Sequence, residues 1–530
     1  MKKSFILLSL SMVSLISCGS MFKNTPWSWD ESTKNYAINY CLLIGQLDHN
    51  DSMYRTRGTR EILGTRVDKK YQKANFNLED VKQGEIELGE GRQKHKFKVN
   101  ELESLEQKSL AGATWDPITA NTTTATWINK HDKHITMFVS NNDGMAEGAM
   151  HAYNWKRGMP IFGYDSNTST LELMNEGESI YGTIDSNTPG QCLAASVLIR
   201  NILNASEKKM EYAKNGNPRS LIEKMWEDEQ KPYNPIYEGF QYDEQGYATE
   251  AGTEIGGHID ITYGSGYVHS TVTFDGCLNK DLTNPSFDEE NKPSHHAILL
   301  KNRTVTKYSE RLKNKGIDDS AVDVDYFFKE KDGKKVALKS PELFEKAEGN
   351  NVDNPIKPNE LKSAKICQTW YSKTDDFFTG NMNPLFDVTN PKLGLAVDYP
   401  VEGDGADEKV ILDSLDAVLK HAGATDEPKA FLINPVQQSN SIRYIENIAS
   451  AYNLKEQDDW SKRSDIPVVF WNRQPTDAVG KISTDEVMNN KYFKYTYYVG
   501  FDAKQGGELQ GKMIKAWLDK TYSETNGGNK

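Results

Sequence analysis

His49, Asp51 and Arg55 stand in the spacing H-x-D-x-x-x-R, directly after the apolar run Tyr40-Cys41-Leu42-Leu43-Ile44 and within Gly45-Gln46-Leu47-Asp48-His49-Asn50-Asp51-Ser52-Met53-Tyr54-Arg55. Three polar groups of different character at the end of one buried run suit recognition. A carboxylate accepts hydrogen bonds, a guanidinium donates them, and an imidazole does either. Similar polar clusters close other apolar runs, at Asn141-Asn142-Asp143-Gly144-Met145, at Phe162-Gly163-Tyr164-Asp165 and at Val468-Val469-Phe470-Trp471-Asn472-Arg473. These side chains match a ligand rimmed with hydroxyls, each of which donates one hydrogen bond and accepts others, and charged partners make the stronger bonds. A pyranose ring has such a rim, and its two C–H faces are surfaces that aromatic rings cover well.

Other patterns carry less chemistry. Gly506-Gly507-Glu508-Leu509-Gln510-Gly511-Lys512 has phosphate-loop spacing, but Met513 stands where a Ser or Thr hydroxyl must reach magnesium, and the surrounding pattern is helical. His131 and His134 flank Asp132 and Lys133 in a polar turn, and His295-His296 is similarly placed, so both pairs read as solvated. Asp375-Asp376 suggests the paired carboxyls of a glycosidase, yet adjacent side chains diverge and cannot flank one bond.

The elements that position these clusters are short apolar runs separated by helical stretches, the rhythm of a parallel α/β fold. In the first half they lie at 40–44, 135–139 and 160–164; in the second, at 365–370, 393–397, 430–433, 468–471 and 497–500. Ligands of open α/β sheets bind at the carboxyl ends of such strands, where the polar clusters fall. Between the halves, residues 206–294 are rich in Gly, Tyr, Thr and acidic residues; Ile259-Asp260-Ile261-Thr262-Tyr263 and the run 268–274 suggest a β-hairpin. Residues 314–362 are charged, then Pro- and Asn-rich, and read as a surface linker.

The chain has 530 residues, 37% hydrophobic and 26% charged, enough to bury a sizeable core. The 63 basic against 76 acidic residues leave a net charge of -13, which excludes nucleic-acid binding as the main role. The five cysteines, at 18, 41, 192, 277 and 367, form neither a disulfide framework nor a metal pattern. Met1-Lys2-Lys3 and the apolar run 5–16 have signal-peptide form and are too short to span a bilayer comfortably. The run ends at Leu15-Ile16-Ser17-Cys18, which resembles a bacterial lipobox and implies lipid attachment at Cys18. The mature chain is then expected outside the cell membrane, tethered by acyl chains.

Taken together, the polar clusters resemble the periplasmic glucose/galactose-binding protein of bacterial sugar ABC transporters, a member of the type I periplasmic-binding-protein family. Support comes also from Tyr498-Val499-Gly500-Phe501-Asp502 with Gly507-Glu508-Leu509-Gln510-Gly511, and from Tyr371 with Asp375-Asp376-Phe377-Phe378. The resemblance covers most of 36–205 and 364–520, with a weaker piece near 296–310. It implies an α/β fold of two parallel-sheet lobes joined by a hinge, capturing a monosaccharide, with glucose or galactose favoured. It assigns His49, Asp51, Arg55, Asn142, Asp165, Asp376 and Asn472 to the sugar's polar rim, and Trp115 and Phe378 to its two faces. Taken singly, Asp165 also fits a helix cap, Arg55 a solvated side chain, and Trp115 and Phe378 core aromatics. Where the family has an Asn at its last crossover, this chain offers Ser186 or, with a one-residue slip, Asn187.

The order of the pieces departs from the family's and resembles a circular permutation. Residues 36–185 with 303–313 correspond to the family's second lobe. Residues 363–530 correspond to its first, which also takes 186–205 and 295–302. A leader at 1–18, a tether at 19–35, the insertion at 206–294 and the linker at 314–362 complete the chain. Because the usual first crossover is cut in this reading, two continuous hinge strands are expected rather than three. The family's calcium loop is not preserved in Asp30-Glu31-Ser32-Thr33-Lys34-Asn35-Tyr36, and Thr136 replaces a distal carboxylate, so no calcium or other cofactor is expected. The expected partners are a monosaccharide, a membrane permease and, through the lipid, the membrane itself, with the protein a monomer. The alternative is a sugar-binding adhesion or sensing lipoprotein with 206–294 as its contact module. A glycosidase is disfavoured because the constellation is spread around a rim.

Overall fold

The structure, a computed structural model, describes residues 26–30, 35–47, 49–68, 78–91, 94–131, 134–152, 159–177, 179–192, 302–339, 363–452, 466–475 and 496–527. It also describes residues 195, 196, 199 and 203 and the pieces 240–242, 248–251, 275–276, 297–300 and 342–343. The leader with Cys18, residues 31–34 of the calcium-loop segment, the 259–274 hairpin and the linker from 344 to 362 lie outside the described residues.

Strand Asn35–Ile44 is buried along its apolar stretch, as befits a central parallel strand covered on both faces. Around it the first sheet runs Arg303–Val305, Ile180–Asp185, Ile161–Phe162, Met137–Ser140, Asn35–Ile44, His95–Glu106, Gln83–Leu88. Its interior pairings are parallel, while the outer strands Arg303–Val305 and Gln83–Leu88 pair antiparallel. Side chains alternate across this sheet. Leu42, Val139 and Phe162 enter one core, while Cys41, Leu43, Phe138 and Ile161 enter the other. The second sheet runs Asp275–Gly276, Ala297–Leu300, Thr496–Phe501, Val468–Trp471, Ala430–Ile433, Ala364–Trp370, Leu395–Glu402. All of its pairings are parallel except the first. Its core receives Cys192, Ala195, Ile199 and Leu203 from the first half of the chain.

Three boundaries differ from the sequence reading. The C-terminal helix Ala503–Gly527 does not stay with 363–501; it packs on the first lobe, where Leu509, Met513, Ile514, Trp517 and Leu518 join Ile38, Tyr40 and Phe162. Gly58 and Gly507 permit the close approach to helix Asn50–Ile62. A Cβ on Gly58 would lie 2.5 Å from the Glu508 nitrogen, and one on Gly507 2.5 Å from the Tyr54 carbonyl. The supposed linker is also structured over residues 314–339. Val322, Val324, Phe327, Phe328 and Ala337 are buried in the first lobe, and Phe328–Lys331 pairs with Lys334–Ala337 as a hairpin. Apolar residues set among acidic ones in 318–328 turn inward while their neighbours meet water, a pattern that charge content alone conceals. Finally, the end of the tether is an edge strand: Ser28–Asp30 pairs with Asn35–Ile44, and Trp27 is buried against Phe97.

The helix placement changes the hinge. Besides the connection through 340–362, the chain passes between lobes after Asp185, between Leu300 and Arg303, and again between Phe501 and Ala503, so three described passages stand where two hinge strands were expected. They are bonded side by side. Arg303 Nε donates to Asp185 Oδ2 at 2.8 Å, and Asn302 Nδ2 donates to the Asp502 carbonyl at 2.6 Å.

Candidate functional site

Each polar cluster lies at the carboxyl end of a parallel strand, and the two lobes turn those ends toward one another. The space between them is about 380 Å³, open mouth included, within the range of small-molecule sites. His49, Asp51, Arg55, Trp115, Asn142 and Asp165 line it from the first lobe; Tyr371, Asp375, Phe377, Phe378, Asn472 and Arg473 line it from the second.

His49 caps helix Asn50–Ile62, its Nδ1 accepting the Asp51 N–H at 3.2 Å. That bond leaves the proton of a neutral imidazole on Nε2. Burial, with Arg473 and Arg55 nearby, holds the His49 pKa well below its ordinary value, so the ring is neutral. Arg55 makes a 3.2 Å ion pair with Asp165, donates to the Asn141 carbonyl at 2.6 Å and lies 3.7 Å above the centre of the Tyr164 ring. Burial opposes the charge on Arg55, but Asp165, Tyr164 and Asp51 outweigh it, and its pKa is raised. Among the carboxyls burial dominates: Asp51 is pushed up to about 6 and Asp165 to about 7 despite Arg55, and Asp375 is raised as well.

Trp115 has φ 62° and stands edge-on to His49 at 5.5 Å. Its ring needs Gly45, because a Cβ there would lie 2.3 Å from it. Asp165 and Asn472 also occupy left-handed backbone, at φ 107° and 60°. Such conformations cost about 1–3 kcal/mol each and persist only where surrounding structure imposes them. Asp143, fully buried, supplies part of that support. Its carboxylate accepts from Asn167 N–H and from Thr183 Oγ1, both at 2.8 Å, and fastens the turn that presents Asp165. On the second lobe Arg473 donates to the Val436 carbonyl and lies 3.8 Å from the centre of the Tyr371 ring, which packs against Phe378.

Several polar atoms of the lining residues are buried without a hydrogen-bond partner: His49 Nε2, Arg55 Nε, Trp115 Nε1 and Arg473 Nε. Leaving such groups unmet costs about 1–3 kcal/mol each. Unmet donors therefore converge from both lobes, among Trp115, Phe377 and Phe378.

Eight of the nine residues assigned by resemblance line this space; Asp376 does not. Asp375 Oδ1 accepts the Phe377 N–H at 2.9 Å and opens the helical turn Phe377–Met382, which leaves Asp376 exposed to solvent. Ser186 and Asn187 are buried in the first passage and are not part of the lining. Asn187 Oδ1 instead accepts the Gly190 N–H at 3.2 Å. Tyr371, Asp375, Phe377 and Arg473 stand within segments that carry the resemblance but were not assigned to the site from sequence. Thr136, standing for the distal calcium carboxylate, is committed to backbone: its Oγ1 accepts from Asn39 N and donates to Asn39 O, both at 2.9 Å. A hydroxyl so engaged does not fit a calcium ligand set. The phosphate-loop lookalike lies within helix Ala503–Gly527, and His131 pairs with Glu103 at 2.7 Å.

Two parallel-sheet lobes with a polar and aromatic cleft between the strand ends define a type I periplasmic-binding fold. Consistent with this, residues 28–208 match the family described as periplasmic binding protein domain. The chain is 31% identical over 148 residues to the D-galactose/methyl-galactoside binding periplasmic protein MglB of Haemophilus influenzae, an alignment covering 25% of this chain and 44% of that protein. The chain thus spans less than half the length of this relative. Among solved structures, a solute-binding protein of an ABC transporter from Bacillus halodurans, with bound myo-inositol, is 21% identical over 28% of this chain and 39% of its own, at a TM-score of 0.19. Another, from Actinobacillus succinogenes with bound D-allose, is 17% identical over 32% of this chain and 43% of its own, also at 0.19. Among the described residues, no helix is long and apolar enough to cross a membrane.

Proposed function

We propose that this chain is the extracytoplasmic sugar receptor of an ABC transporter, closing its two lobes on a monosaccharide and presenting the closed form to a permease. The observation that carries this reading is the convergence of unpartnered buried donors from both lobes, with the carboxyls of Asp51, Asp165 and Asp375, beside Trp115 and Phe378. A hexose meets both demands at once, with hydroxyls for the polar atoms and C–H faces for the rings. Glucose or galactose is the favoured ligand, in keeping with the name of the Haemophilus relative. Asp51, Asp165 and Asp375 line the cavity from both lobes and can accept from the sugar's hydroxyls. Cys18 carries the lipid in this reading, the protein acts as a monomer without calcium, and the order of its segments reflects a circular permutation.

Titration of the protein with hexoses and pentoses, read by tryptophan fluorescence and calorimetry, tests the proposal. Saturable binding to at least one hexose is expected, weakened at least tenfold in Trp115→Ala. No response to any of them at millimolar concentration overturns it. Incorporation of labelled fatty acid, abolished by Cys18→Ala, tests the anchor.

A further inference from the structure

We infer that two side-chain contacts between the lobes, Thr114–Tyr371 and Asn167–Asn381, are ties that hold the closed form and set the residence time of the ligand. Thr114 Oγ1 lies 3.4 Å from Tyr371 Oη and donates to Gln46 Oε1 at 3.2 Å, which orients it. Asn381 Nδ2 donates to Asn167 Oδ1 at 3.1 Å, with both residues buried. Neither Thr114, Asn167 nor Asn381 lines the cavity, so their effect runs through the lobes and not through direct contact with ligand.

The second tie is built at a telling position. Asn167 precedes helix Thr168–Glu176, where an Asn ordinarily accepts an N–H of its own first turn. Here it makes no such cap, and its oxygen faces the other lobe instead. Its backbone N–H is held by Asp143, so the residue stays in place whichever acceptor role its side chain takes. Separation of the lobes returns that oxygen to the helix terminus or to water, and closure takes it back. The tie therefore breaks at little cost, as a receptor that must release its ligand requires.

This inference rests on the ligand-binding reading but is testable apart from it. Thr114→Val and Asn381→Ala, singly and together, are compared with wild type by small-angle scattering without sugar and by stopped-flow dissociation with it. Each tie, at the usual net worth of one hydrogen bond, is expected to raise the dissociation rate about 3- to 10-fold, with association within about twofold. The double variant is expected to scatter as a more open particle than wild type. If wild type binds no sugar, the function fails while the scattering comparison still decides the ties. Unchanged dissociation and unchanged scattering in the double variant overturn them, as does a wild-type chain that scatters as an open particle under every condition.

Discussion

Asp165 offers the sharpest test of whether the cleft is as closed and water-poor in solution as its geometry indicates. Its carboxyl is raised from 3.8 to about 7, chiefly by burial. A group that binds its proton more tightly folded than unfolded subtracts stability as pH rises, because the unfolded chain ionises first. The loss begins near pH 4 and is complete above about 7, and a shift of about three units corresponds to about 4 kcal/mol. Asp165→Asn removes the titration and keeps the shape. Urea unfolding of both proteins at pH 5 and pH 8, without sugar, isolates the term, since contributions common to both, such as that of neutral His49, cancel in the difference. Between those pH values wild type should lose about 3 kcal/mol relative to the variant, and its hexose affinity should exceed the variant's at either pH. Parallel behaviour, with the difference constant to within about 1 kcal/mol, refutes the argument. Asp165 would then be hydrated, and the lobes open, in the free protein.

Gly45→Ala should abolish hexose binding much as Trp115→Ala does, because its Cβ would lie 2.3 Å from the indole; calorimetry reads the affinity, and unaltered binding removes Trp115 from its assigned place. Asp375→Asn should weaken binding at least tenfold, whereas Asp376→Asn should stay within twofold of wild type; the reverse order would restore the assignment made by resemblance. Arg60→Ala should lower stability by about 3–5 kcal/mol in urea unfolding, since it takes the buried one of two cations from a buried carboxylate. Glu101, held down at about 2, accepts from Arg60 Nε and Nη2 at 2.7 Å each. A loss below about 1 kcal/mol would show that Lys82 and Tyr40 suffice for Glu101.

The strands and most of the cleft were legible because both rest on local pattern. A buried parallel strand is a continuous apolar run, and the polar residue that ends it is a ligand-side residue by the geometry of open sheets. Asp376 was misplaced because sequence resolves a cluster but not which of two adjacent side chains turns inward. That choice is made by the hydrogen bond from Phe377 N–H to Asp375, a detail of how one helical turn begins. Arg473 was passed over for a related reason: its inward placement depends on the Val436 carbonyl and the Tyr371 ring, contributed by other segments. The packing of segment 318–338 was hidden by its charge, since the four apolar side chains Val322, Val324, Phe327 and Phe328 anchor it in the core while much of it meets water.

The C-terminal helix shows what periodicity leaves open. Leu509, Met513, Ile514, Trp517 and Leu518 announce one apolar face, but not which sheet covers it. Its place on the first lobe gives that lobe three separate pieces of chain, the stretches 26–185, 302–339 and 503–527, so the lobe is complete only when the far end of the chain returns. The same packing reaches the site. Arg55 sits on helix Asn50–Ile62, whose contact with Gly507 is close enough that no side chain fits between them. Phe501, at the start of the third passage, lies 5.0 Å from the Arg55 guanidinium. The residue that pairs with Asp165 is thus positioned by a helix from one half of the sequence braced against a helix from the other. Brace and binding residue thus meet at Arg55, which also touches Phe501 at the third passage and pairs with Asp165 in the cleft.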